Sequence, residues 1–223
     1  MCSSDLFVRE RTGTGQLVDI AYLDSALALM SATRIIRDFV GEGINTARGI
    51  GALSGTFPYY GIYETRDKKY VSIGCTEPWL WKNLCQALGR PDLVESGMQA
   101  NDFRSVESER QAWCRRELSQ IFKTRDRDEW FDLLKAANVC VGKVYDVPEI
   151  FEDPQLLHRG MILPLQHPQL GEVLQIGIAI KLGETPGHVR GFAPWKGQHS
   201  DEVLTELGYN PEQILLLREK QII

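Results

Sequence analysis

Several absences narrow what this sequence can do. No run approaches the roughly 18 consecutive apolar residues of a membrane-spanning helix. The opening residues lack the basic and apolar regions of a signal peptide. The 25 lysines and arginines are scattered and the net charge is −5, so no basic patch indicates nucleic-acid binding. We therefore expect a cytoplasmic protein that binds neither a membrane nor nucleic acid.

Cysteine and histidine are also sparse. The five cysteines are an odd number without Cys-x-x-Cys spacing, which indicates free thiols in a reducing compartment. The four histidines are scattered, and no His, Cys and Asp cluster has the spacing of metal ligands. This spacing predicts no metal site, and we also expect no bound cofactor.

What is present is typical of an ordinary globular protein. Apolar residues make up 43% of the chain and charged residues 25%. Residues 18–21 are strand-like, residues 24–40 have helical spacing, and residues 41–55 hold five glycines, which predicts a loop or a crossing between domains. Residues 60–64 and 70–73 predict a hairpin with a polar turn at 66–69.

Helices are predicted after the hairpin. The first has Thr76 as its N-cap, the second covers residues 107–122, and the third has Asp128 as its N-cap. Near the C-terminus, Ser200 and Asn210 are the predicted caps of two further helices, with Pro211 at the first position of the last one.

Four segments in this order carry a family resemblance. They are "RERTGTGQLVDIAYLDSAL" (9–27), "YYGIYETRDKKYVSIGCTEPWLWKNLCQALGRPDL" (59–93), "VPEIFEDPQLLHRGM" (147–161) and "ETPG" with "APWKGQHSDEVLTELGY" (184–209). Together they resemble the family III CoA-transferases, which include carnitine and formate CoA-transferases and the α-methylacyl-CoA racemases. The resemblance runs from about Phe7 to the C-terminus.

The resemblance implies the fold of that family. Its members are nearly twice as long and begin with a Rossmann-like large domain. This chain would provide the end of the large domain and a linker helix (7–45), the small α/β domain (46–186), and a return segment with C-terminal helices that pack on the large domain (187–223). The resemblance also implies an interlocked homodimer.

The first six residues predict a different origin from the rest. "MCSSDL" can be encoded by the end of a common sequencing adapter, with GTG read as a start codon. We therefore expect residues 1–6 to be a non-native leader and the natural protein to extend upstream. The alternative is a short gene with its own start.

The resemblance also assigns candidate site residues. Glu77 in "IGCTEPWLW" (73–81) matches the "GxxEP" pattern of the racemase-like branch, where the glutamate reaches the active site. It could assist proton exchange next to a thioester, or it could only stabilise the first turn of its helix.

The loop 47–61 is the second candidate. It resembles the racemase-like "GxxPFY" pattern, with Gly51, Gly55, Phe57, Pro58 and Tyr59 as substrate-loop residues. Its backbone N–H groups could stabilise an oxyanion; otherwise it is a plain interdomain loop.

The implied function is chemistry on acyl-CoA, with a coenzyme A thioester and a carboxylic acid as substrates. In the family's transferases an aspartate of the large domain forms an acyl anhydride and then an aspartyl-CoA thioester, and no aspartate here matches it. The alternatives are α-methylacyl-CoA racemisation with Glu77 assisting, an inert C-terminal fragment, one subunit of a split enzyme, or an unrelated α+β binding module.

Overall fold

The computed structural model describes residues 2–31 and 33–223 and has a mixed α/β architecture. Met1 of the expected leader and Ala32 of the predicted helix 24–40 lie outside the described residues. The chain divides into one compact unit that ends at Val144 and another that runs from Tyr145 to Ile223. The domain boundaries expected at 46 and 187 refer to packing against a further domain, and they stay predictions.

The first unit begins with helices. They are α1 (Cys2–Thr12), α2 (Tyr22–Ser31) and α3 (Arg34–Glu42). The prediction of one helix over 24–40 was wrong, because Thr33 has extended backbone at the N-cap of α3. The hydroxyls of Ser31 and Thr33 donate to carbonyls of the preceding turn, and such bonds compete with helix continuation. The strand expected at 18–21 is also absent, since these described residues have no regular secondary structure.

An antiparallel sheet lies at the centre of the first unit. Its strands are β1 (Tyr60–Glu64), β2 (Tyr70–Gly74) and β3 (Val141–Val144), in the order β1-β2-β3. The predicted hairpin is confirmed, with Tyr63 paired to Val71. Because side chains alternate between the faces of a strand, Tyr63, Val71 and Ile73 all enter the core from one face.

Helices cover that face of the sheet. They are α4 (Pro78–Ala87), α5 (Glu109–Phe122) and α6 (Arg127–Ala136), with 3₁₀ helices at Pro91–Ser96 and Ala100–Phe103. Their buried side chains join those of the sheet in one apolar core, whose large members include Trp81, Leu84, Leu118, Phe122, Trp130 and Leu134.

Two predicted caps in this unit are corrected. The N-cap of α4 is Glu77 rather than Thr76. The N-cap of α6 is Asp126 rather than Asp128, because Asp126 and Glu129 form a reciprocal capping box. The predicted start of the second helix is off by two residues, since Ser108 caps α5 through a similar box with Gln111.

The second unit contains a hairpin and short helices. Its elements are α7 (Val147–Glu152), α8 (Pro154–His158), β4 (Ile162–His167), β5 (Gly171–Ile176), α9 (Ser200–Glu206) and α10 (Pro211–Glu219). Asn210 caps α10 as predicted, whereas His199 rather than Ser200 occupies the N-cap of α9. In the described part of the chain, no helix has the length and apolar character needed to cross a membrane.

Candidate functional site

An open groove of about 790 Å³ lies on the outer face of the β1-β2-β3 sheet. The strand register pairs Tyr60 with Gly74 and Ile62 with Ser72, and it pairs Ser72 with Gly142 of β3. These residues line the groove together with Cys140 and the loop residues 53–55. The groove therefore lies opposite the apolar core, on the face of the sheet that the helices leave open.

The surface of the sheet that forms the floor of the groove carries few side chains, so the groove reaches close to the backbone. A Cβ atom at Gly142 would come within 2.8 Å of the Ser72 Oγ, and one at Gly74 would lie 3.3 Å from the Cys140 Sγ. The first distance is too short for a real contact and the second is tighter than most, so glycine at these two positions keeps the floor open. An extended ligand could lie flat against the backbone there.

The walls of the groove are apolar and come from the glycine-rich loop and β1. Leu53 is 58% exposed and Ile62 is 64% exposed, and both line the groove. Gly55 also lines it and has a φ of 85°, in the left-handed region that favours glycine. Of the predicted loop glycines, Gly55 is therefore at the groove.

Gly51 has a different place. Its φ is 117°, and a Cβ there would lie 3.3 Å from the carbonyl oxygen of Phe103. Glycine is therefore required both by the backbone conformation and by the close approach to the neighbouring 3₁₀ helix. Gly51 supports the loop rather than lining the groove.

The other predicted loop residues lie beneath the groove. The side chains of Phe57, Pro58 and Tyr59 are fully buried. The rings of Phe57 and Tyr59 stack with their centroids 5.3 Å apart, and the Tyr63 hydroxyl donates to the Pro58 carbonyl at 2.7 Å. Buried side chains of this kind hold the loop from below, and their role toward a substrate stays a prediction.

Tyr60 was missed as a site residue in the sequence. It follows Tyr59 directly, lines the groove and is partly exposed. The signal was the two-residue period of β1, which places Tyr60 and Ile62 on the face opposite Tyr63.

Glu77 lies three residues beyond the end of β2 and is partly exposed. It is not among the residues that line the groove. Within the described chain, the hydrogen bond that its carboxylate accepts comes from the neighbouring Thr76 hydroxyl, at 2.9 Å. The carboxylate thus remains accessible for a further partner, and its predicted catalytic role stays a prediction.

The cysteines differ sharply in accessibility. Cys75, Cys85 and Cys114 are buried, and burial raises the pKa of Cys75 to about 12. Such thiols stay protonated and inert near neutral pH. Cys140 is exposed and lines the groove. Among the described residues, no group of three or more His, Cys, Asp or Glu side chains could hold a metal ion.

Comparison of the sequence with models of known protein families identifies the class of protein to which this chain belongs. The model of CoA-transferase family III matches residues 3–200. The chain therefore belongs to CoA-transferase family III, and the resemblance found in the sequence is confirmed.

Curated relatives agree with this family. Succinyl-CoA–D-citramalate CoA-transferase of Chloroflexus aurantiacus is 29% identical over 223 residues, covering 98% of this chain and 53% of the relative. Succinyl-CoA:mesaconate CoA-transferase of Haloarcula hispanica is 33% identical over 205 residues, covering 90% and 48%. The chain thus spans about half the length of the curated relatives it matches.

A solved structure has the same fold. The crystal structure of a CAIB/BAIF family protein from Brucella suis matches with a TM-score of 0.69 and 23% identity, over 92% of this chain and 51% of that one. The predicted fold class, an α/β family III CoA-transferase fold, is confirmed by this match and by the family model.

Proposed function

We propose that the groove forms part of the acyl-CoA site of an enzyme that transfers CoA between carboxylic acids. The observation that carries the proposal is the side-chain-poor floor at Gly74 and Gly142, bounded by exposed Leu53 and Ile62, in a chain of CoA-transferase family III. A low floor with apolar walls suits the acyl and thioester part of a substrate. Coenzyme A is then a substrate rather than a bound cofactor.

The acid that exchanges CoA is proposed from the relatives. Those cited above are named for succinyl-CoA with citramalate or mesaconate, and a further one, from Homo sapiens, for succinyl-CoA with glutarate. All of these acids carry two carboxylates. We therefore take a dicarboxylic acid and its CoA thioester as the first substrates to assay.

The transfer needs a carboxylate nucleophile. An aspartate attacks the thioester carbonyl, CoA leaves as the thiolate, and an acyl–aspartyl anhydride remains. The thiolate then attacks the aspartyl carbonyl, which releases the first acid and leaves an aspartyl–CoA thioester. The second acid runs these two steps in reverse, which forms its own CoA thioester and frees the aspartate. No aspartate is among the described residues that line the groove, so we propose that a Rossmann-like domain outside residues 1–223 supplies it.

The chain's own contribution would be binding and polarisation. In the part of the chain that the structure describes, the Gly55 N–H has no hydrogen-bond acceptor, although Gly55 lines the groove. A free N–H at this position could donate to the oxygen of a thioester carbonyl as negative charge develops on it. This is a role that the exposed backbone of a glycine loop can fill.

A pair of variants at Ser72 tests the groove. Ser72→Val adds volume to the floor, whereas Ser72→Ala removes the hydroxyl without adding any. In the whole protein, CoA transfer from succinyl-CoA to a dicarboxylic acid, monitored by liquid chromatography, should show a raised KM for the thioester in Ser72→Val and near-normal kinetics in Ser72→Ala. Equal kinetics in the two variants would count against the groove as the acyl site.

A second candidate function is α-methylacyl-CoA racemisation, which the position of Glu77 favours. Its partly exposed carboxylate, bonded only to Thr76 among the described residues, could take part in removing and returning an α-proton. The assay is exchange of the α-hydrogen of 2-methylbutanoyl-CoA in deuterium oxide. Exchange without CoA transfer would favour the racemase over the transferase.

The assembly is also a proposal. We infer an interlocked homodimer in the cytoplasm for the whole protein, and no activity for residues 1–223 alone. An inert fragment, or one subunit of a split enzyme, remains the alternative. The beta and alpha subunits named for a succinyl-CoA–L-malate CoA-transferase are each matched over only about half of their length, 53% and 49%, so they are not a precedent for a split chain. Coexpression with a neighbouring reading frame tests the split-enzyme alternative directly.

A further inference from the structure

A buried carboxylate holds one end of the glycine-rich loop. Asp102 is 4% exposed, and its Oδ2 accepts hydrogen bonds from the Tyr59 hydroxyl at 2.9 Å, the Gln99 backbone N–H at 2.9 Å and the Gln111 Nε2 at 2.8 Å. In the described chain it has no ion-pair partner. Burial and then the bond to Asp102 raise the pKa of Tyr59, so its hydroxyl stays protonated and donates.

The same short helix holds the other end of that loop. Asp102 belongs to the 3₁₀ helix Ala100–Phe103, which we call the anchor turn. Gly51 approaches the anchor turn so closely that a Cβ would lie 3.3 Å from the Phe103 carbonyl oxygen. Gly51 thus packs closely against the anchor turn, Tyr59 is hydrogen-bonded to it, and the groove wall at 53–55 lies between them in sequence.

The residue after the anchor turn ties it to the helix that precedes the loop. Arg104 donates to the Asp38 carboxylate at 3.0 Å and to Glu42 at 2.6 Å, both in α3. The Asp38 side chain is only 4% exposed. One short stretch of chain, 100–104, therefore contacts three parts of the molecule. They are helix α3 before the loop, Gly51 near the start of the loop, and the buried Tyr59 near its end.

Energetics indicate that this arrangement is not simply a way to fill the core. A buried carboxylate without a cation is costly, and its hydrogen bonds only offset that cost. Replacing both a buried polar group and its partners by apolar side chains of similar volume can be nearly neutral or even stabilising. The carboxylate instead fixes positions, because the donors from Tyr59, Gln99 and Gln111 must all reach the same oxygen.

We propose that Asp102 is a positioning residue for the acyl-CoA groove: through Tyr59 it holds the loop so that Leu53 and Gly55 stand at the groove wall. The inference rests on the proposed function for its kinetic consequence. The anchoring itself is independent of it. Asp102 acts through the loop and is not among the residues that line the groove.

The first experiment measures the anchoring by hydrogen–deuterium exchange of peptides that cover residues 43–58. Tyr59→Phe and Asp102→Ala should raise exchange in this segment about tenfold or more, because each removes one partner of a buried hydrogen bond. Asp102→Asn keeps an acceptor oxygen and should rescue most of the protection. Unchanged exchange in Tyr59→Phe and Asp102→Ala would overturn the proposal.

The matched control is Tyr145→Phe. The Tyr145 hydroxyl donates to the Asp153 Oδ2 at 3.0 Å in the second unit, so the control removes a tyrosine–aspartate bond, here part-buried, by the same substitution. It should leave exchange at 43–58 unchanged. Equal increases in both tyrosine variants would mean general destabilisation and would also overturn the proposal.

The second experiment separates positioning from stability by kinetics of the whole protein. Tyr59→Phe should raise KM for succinyl-CoA about tenfold, because the groove wall is no longer held in place. A merely structural role would lower the fraction of folded enzyme, and therefore apparent kcat, without changing KM. If the unsubstituted protein neither transfers CoA nor exchanges α-protons, the proposed function fails, and the exchange experiment still decides whether Asp102 anchors the loop.

Discussion

Gly142 of β3 lies directly opposite Ser72 of β2, and the Ser72 hydroxyl donates to the Gly142 carbonyl at 3.3 Å. The pair joins strands whose residues are 70 apart in sequence. A Cβ at Gly142 would come within 2.8 Å of the Ser72 Oγ. A side chain at position 142 would therefore both fill the floor of the groove and disturb the contact between β2 and β3.

Gly142→Ala should destabilise the protein by about 1–3 kcal/mol, the usual cost of overpacking. Ser72→Ala removes the clashing atom, so the double variant should be more stable than the sum of the two single effects. Urea denaturation measures both. Gly183→Ala is the control, because a Cβ there meets nothing within 4 Å. Strict additivity of the two substitutions would contradict the contact.

The Asp38–Arg104 ion pair should make stability depend on pH. The hydrogen bond from Arg104 is the main cause that lowers the pKa of Asp38. A carboxyl group with a lower pKa in the folded state stabilises the protein fully above its unfolded pKa of about 3.9, and the stabilisation is lost as pH falls through the folded value. Urea midpoints of the protein and of Asp38→Asn should therefore differ clearly at pH 7 and converge toward pH 3.

The control for this prediction is Asp19→Asn. Asp19 is exposed and forms no ion pair in the part of the chain that the structure describes. Its substitution should leave the urea midpoint unchanged at both pH values. A difference between the protein and Asp38→Asn that is the same at pH 3 and pH 7 would show that the charge on Asp38 is not what stabilises this contact.

Local signals predicted much of the fold. The hairpin of β1 and β2 followed from alternating residues on both sides of a polar turn, and Asn210 followed from its place before Pro211. The division of 24–40 into α2 and α3 did not follow, because apolar spacing continues through it. It depends on extended backbone at Thr33, which spacing does not report.

The candidate site was less predictable because it is built from distant segments. The resemblance identified the glycine-rich loop, and Gly55 does line the groove. The floor needs β3 beside β2, and Cys140 and Gly142 gave no signal of their own in the sequence. Tyr59 is fully buried and its neighbour Tyr60 is only partly buried and lines the groove, and the strand register decides which of the two faces outward.

Cys140 provides a direct measure of groove occupancy. Its thiol is exposed in the groove, whereas Cys75, Cys85 and Cys114 are buried with raised pKa values. Iodoacetamide should modify Cys140 and leave these three unmodified, as judged by peptide mass spectrometry. Succinyl-CoA should slow the modification of Cys140, and free succinate at the same concentration should not. Modification at equal rates with and without the thioester would argue against binding in the groove.

Exposed apolar side chains on α2 and α3 should make the 223-residue chain self-associate. Leu23 is 79% exposed and Leu29 is 76% exposed on α2, and Phe39 is 60% exposed on α3. Exposed clusters of this kind lead to association. Sedimentation velocity should show species larger than a monomer, and Leu29→Glu with Phe39→Glu should reduce them. Leu170→Glu, which changes a leucine that is 62% exposed in the second unit, is the control and should have no such effect.

Glu77→Gln distinguishes the two candidate reactions. Glutamine keeps an oxygen that can accept the bond from Thr76, so the helix start should be preserved. It cannot carry a proton in a relay. If Glu77 serves α-proton exchange, deuterium incorporation into 2-methylbutanoyl-CoA should fall about 100-fold or more, while CoA transfer between dicarboxylic acids is retained. Thr76→Val, which removes only the neighbouring hydroxyl, should change neither rate much. An equal loss of both reactions in Glu77→Gln would instead assign Glu77 to binding of the thioester that they share.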